Sequence, residues 1–335
     1  MKILVTGAAG FIGFHLCQRL LADGQQIVGL DNLNDYYSPQ LKRSRLEHLQ
    51  GQKGFQFYQM DFADQASVDT VFNKHHFETV IHLGAQAGVR YSVQNPRAYL
   101  NSNLVGFFNI LEAARVHKIA HLVFASTSSV YGLNTHMPFR AKDHADHPVS
   151  LYAATKKSNE VMAHSYAYMH GLPVTGLRFF TVYGPWGRPD MAYFLFADAI
   201  AKGEPVTVFN DGLLRRDFTY IDDIVEGIVR VAQFPPTAQS DYDRAQPDPS
   251  TSSAPYRILN IGNHDPVEVK ELLSLIEQGL GKKAKIIHAP MQKGDVEATF
   301  ADTEPLKRLT GFSPQTSLAE GVSRFIAWYK DYYHV

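Results

Sequence analysis

The chain has 335 residues, room for one large domain or two linked ones, and its 45% apolar and 19% charged content is that of an ordinary soluble globular protein. A formal net charge of -1 gives no electrostatic reason to expect nucleic acid or an anionic membrane as partner, and no apolar run approaches membrane-spanning length. The one cysteine, Cys17, excludes an internal disulfide and fits a reducing, cytoplasmic setting.

Residues 1–5 begin directly on a core-strand pattern, which leaves no room for a signal peptide. Ile3, Leu4 and Val5 predict a strand over 2–6 buried on both faces, and the amphipathic FHLCQRLLADG predicts a helix over 11–23. Gly7, Gly10 and Gly13 lie between and into them. A strand turning tightly into a helix aims the helix's free N–H groups and positive dipole end at one spot, where a pyrophosphate fits if no side chain blocks the turn. A second strand, 26–31, ends in Asp31. A carboxylate there can accept hydrogen bonds from an adenosine ribose and repels a 2′-phosphate, so NAD is expected rather than NADP.

Further strands are predicted at 55–60, 79–83, 121–126 and 173–179, with helices at 65–74, 98–117 and 151–170 between them. This alternation predicts an α/β fold, a Rossmann-like doubly wound parallel sheet covered by helices on both faces. After residue 179 the Gly- and Pro-rich GPWGRPDM leads into a helix at 192–202, and RDFTYIDDIVEGIVRVA returns to the first domain's surface. Residues 235–256 are polar and proline-rich, hence a surface loop, and 257–263 form one more sheet strand. VEVKELLSLIEQGL and LAEGVSRFIAWYKDYY supply helices to a smaller, discontinuous C-terminal α/β substrate domain. The expected division assigns 1–178 and 218–262 to a dinucleotide-binding domain, and 179–217 and 263–335 to the substrate domain. A cleft lies between them.

The strand at 121–126 ends in Thr127, Ser128 and Ser129, hydroxyls at the rim where parallel sheets bind ligands. Tyr152 and Lys156 follow at i and i+4 of one predicted helix, hence on one face. A phenol titrates about three units above neutral pH. An ammonium beside it favours the phenolate and makes Tyr152 a usable base. Fifteen histidines raise the question of a metal, but His75-His76 and the His117/His121 pair have no accompanying Cys or carboxylate cluster, so none is expected.

TGAAGFIG, Asp31-Asn32, Asp61-Phe62, HLGAQAGVRYS, ASTSSVYG, the YxxxK at Tyr152, RFFTVYGPWGRPDM and RDFTYIDD together resemble the extended short-chain dehydrogenases/reductases over nearly the whole chain. Among these they are most similar to the branch that epimerises UDP-glucuronate at C4. The resemblance implies that Gly7, Gly10, Phe11, Ile12, Gly13, Asp31, Asn32, Asp61, Phe62, Leu83 and Lys156 contact NAD, with Phe62 by the adenine. It implies a UDP-sugar substrate held by Arg90, Thr127, Ser128, Ser129, Tyr152, Thr181, Arg188, Arg216 and Asp295. By the same resemblance Thr127, Tyr152 and Lys156 are expected to carry the chemistry, and helices 98–117 and 151–170 to form a homodimer interface. Related 4,6-dehydratases carry an Asp-Glu pair after the threonine, and related decarboxylases a Glu before Val-Tyr-Gly. Here Ser128 and Ser129 stand there, which favours epimerisation. UDP-glucose 4-epimerases carry Asn at the position of Thr181 and lack the arginine of GRPDM. A non-catalytic NAD-binding scaffold would be marked by loss of Tyr152 or Lys156, and both are present.

Overall fold

The computed structural model describes residues 1–291 and 297–335. Its first half alternates β1 (Lys2–Thr6), α1 (Phe11–Ala22), β2 (Gln26–Asp31), α2 (Pro39–Leu49), β3 (Phe55–Gln59), α3 (Gln65–Lys74) and β4 (Thr79–His82). Two short helices, α4 (Tyr91–Gln94) and α5 (Pro96–Tyr99), lead through a π-helical turn at Leu100–Gly106 into α6 (Phe107–Val116). Then come β5 (His121–Thr127), α7 (Leu151–His170), β6 (Val174–Phe179), β7 (Thr181–Tyr183), α8 (Ala192–Lys202), β8 (Pro205–Phe209), β9 (Arg215–Tyr220) and α9 (Ile221–Ala232). The chain continues through β10 (Tyr256–Ile261), β11 (Pro266–Glu268), α10 (Val269–Leu280), β12 (Lys285–Ala289), β13 (Ala298–Thr299), α11 (Glu304–Thr310) and α12 (Leu318–Tyr333).

Seven strands form one sheet in the order β10-β6-β5-β4-β1-β2-β3, and every pairing in it is parallel. This is the doubly wound sheet expected from the alternation. Strand periodicity sends Ile3 and Val5 into one core, with Phe14, Leu16 and Leu20 of α1, and Leu4 into another, with Val68, Ile110 and Ala163 of α3, α6 and α7. Both faces are thus covered, which is why the strands read as unbroken apolar runs. The order reverses between β1 and β4, so their carboxyl ends part and leave a crevice.

Two smaller sheets lie after β6. One joins β9 to β7, β11 and β13, and the other pairs β8 with β12. Leu272 and Ile276 of α10 and Val322, Phe325 and Tyr329 of α12 pack into the same core as α1. Residues 235–255 carry neither helix nor strand, and His164 of α7 meets Ser252 across 2.8 Å at the end of that segment. No described helix is long and apolar enough to cross a membrane.

Two elements differ from the sequence expectation. The single helix expected over 98–117 is interrupted by the π-helical turn, because Asn103 spends its side chain on tertiary partners and Gly106 lies against the Phe62 ring. In addition, α2 has no predicted counterpart. Its buried face is Leu41, Lys42, Arg45, Leu46 and Leu49, and the two cations on that face hide the apolar period.

Candidate active site

The crevice at the switch point opens into a cavity of about 390 Å³. Gly7, Gly10, Phe11, Ile12 and Gly13 line one end, with Asp31, Asn32, Phe62 and Leu83 beside them. Thr127, Ser128, Ser129, Tyr152, Lys156, Thr181 and Arg188 line the rest. Sixteen predicted positions therefore meet in one space.

At the glycine turn, Gly7 has φ +71°, and a Cβ there would stand 2.8 Å from the Gly84 nitrogen. A Cβ on Gly13 would stand 2.0 Å from the Gly7 carbonyl oxygen, so this glycine lets α1 pack on the turn rather than clearing room for a ligand. Gly10 is the N-cap of α1 and provides no side-chain cap, which leaves the first-turn N–H groups of Phe11 and Ile12 available at the cavity wall. That arrangement suits a pyrophosphate.

Asp31 accepts from the backbone N–H of Ala9 at 3.1 Å and of Leu33 at 2.9 Å, while burial pushes its pKa upward. Lys42 of α2, unforeseen from the sequence, is buried beside it and donates to the Asn34 carbonyl at 2.6 Å and side chain at 2.7 Å. Burial lowers its pKa to about 8, and Asp31 opposes the shift. Asp61 stays exposed outside the lining, accepting from Asn32 at 3.0 Å and from the Ala63 N–H at 2.8 Å. The lining also includes Asn34, Tyr36, Tyr37 and Ser102, which no motif singles out, and Gln86, Phe180 and Met191, which lie inside HLGAQAGVRYS and RFFTVYGPWGRPDM but are not among the predicted site residues.

Helix α7 starts at Leu151, capped by the Ser150 hydroxyl accepting from the Ala153 N–H. Tyr152 and Lys156 thus lie one turn apart at its amino end, facing the strand end of β5. The Thr127 hydroxyl accepts from the Ser129 N–H at 3.2 Å and tightens the turn that presents the serines. Burial raises the Tyr152 phenol above its ordinary range, opposed most by the Arg188 charge and then by the bond with Thr127. Lys156 is buried to 2% exposure, and this lowers its pKa to about 8, with Glu160 one turn further opposing.

Glu160 anchors this stretch of α7. It accepts from Ser126 at 2.7 Å and from Arg178 of β6 at 2.8 and 2.9 Å, and both charges are sealed from water. Asn103 in the π-helical turn exchanges hydrogen bonds with the Gln86 backbone at 2.8 and 3.0 Å and donates to Thr155 at 3.1 Å. The lining loop after β4 is thereby clamped to the same helix.

Arg188 reaches the cavity, but its Nε and Nη2 already engage Asp190, at 3.0 and 2.5 Å, and Tyr36 donates to the same carboxylate at 2.9 Å. Two of its nitrogens are thus engaged within the protein, and the side chain still lines the cavity. Three predicted residues among those described, Asp61, Arg90 and Arg216, do not line the cavity. Arg90 is exposed with its guanidinium over the Phe209 ring, and Arg216 donates to the carbonyls of Arg215 and Glu297. Asp295 lies outside the described residues.

Residues 3–244 match the model of the NAD dependent epimerase/dehydratase family. Over 99% of its length the chain is 48% identical to 98% of a probable UDP-glucuronate 4-epimerase of Rhizobium meliloti. Its fold superposes with a TM-score of 0.88, at 32% identity, on a UDP-glucuronic acid 4-epimerase of Bacillus cereus solved with UDP-glucuronic acid and NAD, covering 99% of this chain and 100% of that one. A UDP-glucose 4-epimerase of Thermotoga maritima, solved with UDP-glucose, gives 0.84 at 29% identity, with 99% and 100% covered.

Proposed function

Because this chain belongs to the NAD dependent epimerase/dehydratase family, we propose that it interconverts UDP-glucuronate and UDP-galacturonate by oxidising and re-reducing C4 of the sugar. One observation carries the choice within the family. The sugar end of the cavity presents the hydroxyls of Thr127, Ser128, Ser129 and Thr181 and the Arg188 cation, and Asp31, at the other end, is the only carboxylate among the described lining residues. Dehydration needs an acidic group beside the sugar and decarboxylation a carboxylate free to align with the ketone, whereas epimerisation needs a base, a polarising hydroxyl and a held carboxylate.

The glycine-turn amides, Asp31 and Lys42 would hold NAD, which would supply the acceptor and then the donor of hydride at C4. Tyr152 takes the proton of the C4 hydroxyl, and Thr127 polarises that oxygen. After the sugar turns over, hydride would return to the opposite face of C4, and Tyr152 gives the proton back to the oxygen. The Arg188 charge favours the phenolate, and Lys156 would hold the nicotinamide ribose. The 4-keto form is a β-keto acid that can lose CO2, so Ser128, Ser129, Thr181 and Arg188 must keep its carboxylate bond out of line with the ketone. NAD must stay bound throughout, since its loss strands the oxidised sugar.

UDP-glucuronate, UDP-glucose and UDP-galactose offered separately, without added cofactor and with products resolved by NMR, test this reading. Copurified NAD and conversion of the acidic sugar alone are the expected result. Dependence on added NADP, or equal turnover of neutral sugars, overturns it. Arg188→Ala is expected to cost the UDP-glucuronate reaction about 1.5–3 kcal/mol, the worth of hydrogen bonds to a charged group. Inhibition by UDP-glucose, which lacks the carboxylate, should weaken less; an equal loss for both sugars leaves Arg188 as the structural partner of Asp190. The exposed Val105, Phe108, Val161 and Met169 around α6 and α7 support a homodimer through those helices, and the free thiol of Cys17 supports a cytoplasmic setting.

A further inference from the structure

Arg45 of α2 is fully buried, at 0% exposure, and its partners are backbone carbonyls and one phenol. Nε and Nη2 donate to the Trp186 carbonyl at 3.1 and 2.5 Å, and Nη2 also reaches the Gly187 carbonyl at 3.1 Å. Nη1 donates to the Ala9 carbonyl at 2.9 Å and to the Tyr37 hydroxyl at 2.8 Å. A packing role alone would be met by an apolar side chain of the same volume, because buried charges are costly to desolvate. A planar fork of five N–H groups, by contrast, can hold carbonyls from distant segments at fixed directions, as a lysine cannot.

The segments it joins are the two ends of the cavity. Ala9 lies in the glycine turn, where its own N–H donates to Asp31, so the peptide units on both sides of this residue are tied. Trp186 and Gly187 immediately precede Arg188. Trp186 has φ +60°, a left-handed conformation that a bulky residue rarely adopts, and its carbonyl takes two of the Arg45 N–H groups. Gly187 is pressed so closely on Tyr193 that a Cβ would stand 1.9 Å from the hydroxyl. From α1, His15 bonds the Pro185 carbonyl at 2.9 Å and Phe14 sets its ring against Trp186. The backbone that aims Arg188 is therefore referenced to the glycine turn.

We propose that Arg45 is a positioning residue that fastens the glycine turn to the Trp186–Gly187 backbone, so that the cofactor end and the sugar end of the cavity keep one fixed spacing. The proposal rests on the reading that the first end holds NAD and the second a nucleotide sugar. Arg45 touches neither. It acts through Ala9 on one side and through Arg188 on the other.

Arg45→Lys keeps the charge but cannot span both sets of carbonyls. NAD retained per protomer after gel filtration, without substrate, is expected to fall to less than half of wild type. KM for UDP-glucuronate should rise roughly tenfold, with kcat at saturating NAD and substrate within about threefold, since a small misplacement of a positioning group is felt strongly. Arg188→Ala should add little to KM in the Arg45→Lys background, the non-additivity of groups acting in one chain. Wild-type NAD retention and KM with a lowered thermal midpoint alone overturn the proposal, as does a loss of kcat alone or full additivity with Arg188→Ala. If Arg45→Lys does not fold, Arg45→Met, which takes the charge out of the interior, carries the same measurements. Failure of both to fold makes Arg45 a folding residue and also overturns it. A wild-type protein that does not epimerise UDP-glucuronate overturns the proposed function instead, and leaves the NAD-retention comparison valid.

Discussion

Tyr152→Phe should leave the protein folded and NAD-bound and reduce kcat for UDP-glucuronate by ~10²–10⁴, the usual cost of removing a general base. The substitution deletes one oxygen. The ring keeps its edge contact with Tyr99, 6.1 Å between centroids, so KM should stay within several-fold. The size of the loss follows from the environment of the phenol. Burial pushes its pKa up, and the Arg188 charge and Thr127 pull it back. The wild-type rate should rise with pH as the phenol ionises, and the Phe variant should lose that limb. A variant that keeps more than a tenth of the turnover would remove Tyr152 from the reaction.

Glu160→Gln should cost about 3–5 kcal/mol of stability, because it leaves the Arg178 guanidinium buried without its counter-charge. Glu160 is 1% exposed and Arg178 0%, so solvent screening gives no relief. Ser126 loses its charged acceptor as well, and Ser126 directly precedes Thr127 in β5. For a chain of this size a drop of roughly 5–10 °C in thermal midpoint is expected. Adding Arg178→Met should recover most of it, since replacing both charges with uncharged groups removes the unpaired ion. If Glu160→Gln melts within a degree or two of wild type, the pair contributes little. If the double variant melts lower than the single one, the cost lies in lost packing rather than in charge.

The alternation of apolar runs with helical segments was legible because a sheet covered on both faces leaves no polar alternation to confuse the pattern. Thr127, Tyr152 and Lys156 were legible for a different reason: a strand end and an i, i+4 pair are local, and the fold only has to bring two such pieces together. What sequence concealed was non-local. Lys42 and Arg45 face inward on α2, and their charges read as those of a solvated helix until the Asn34, Ala9 and Trp186 carbonyls are seen around them. Asn103 reads as one residue of a long helix, yet it turns that helix into a clamp on Gln86 and Thr155. The resemblance offers Arg188 as a substrate residue and says nothing of its pairing with Asp190. The fold shows that Asp190 engages two nitrogens of the guanidinium while the residue still lines the cavity.

The order of strands in the large sheet has a consequence for how this chain is made and cut. β10 pairs with β6 although some eighty positions separate them, and all of β6 from Val174 to Phe179 is buried. A ribosome that has released only the first 250 residues therefore holds a sheet with a bare apolar edge, open to pairing with another chain until the last strand arrives. The region matched by the family model ends at residue 244, ahead of that strand. A fragment trimmed to that boundary would carry nearly all the cavity residues and still be prone to aggregation, because the strand that closes the sheet lies beyond the cut.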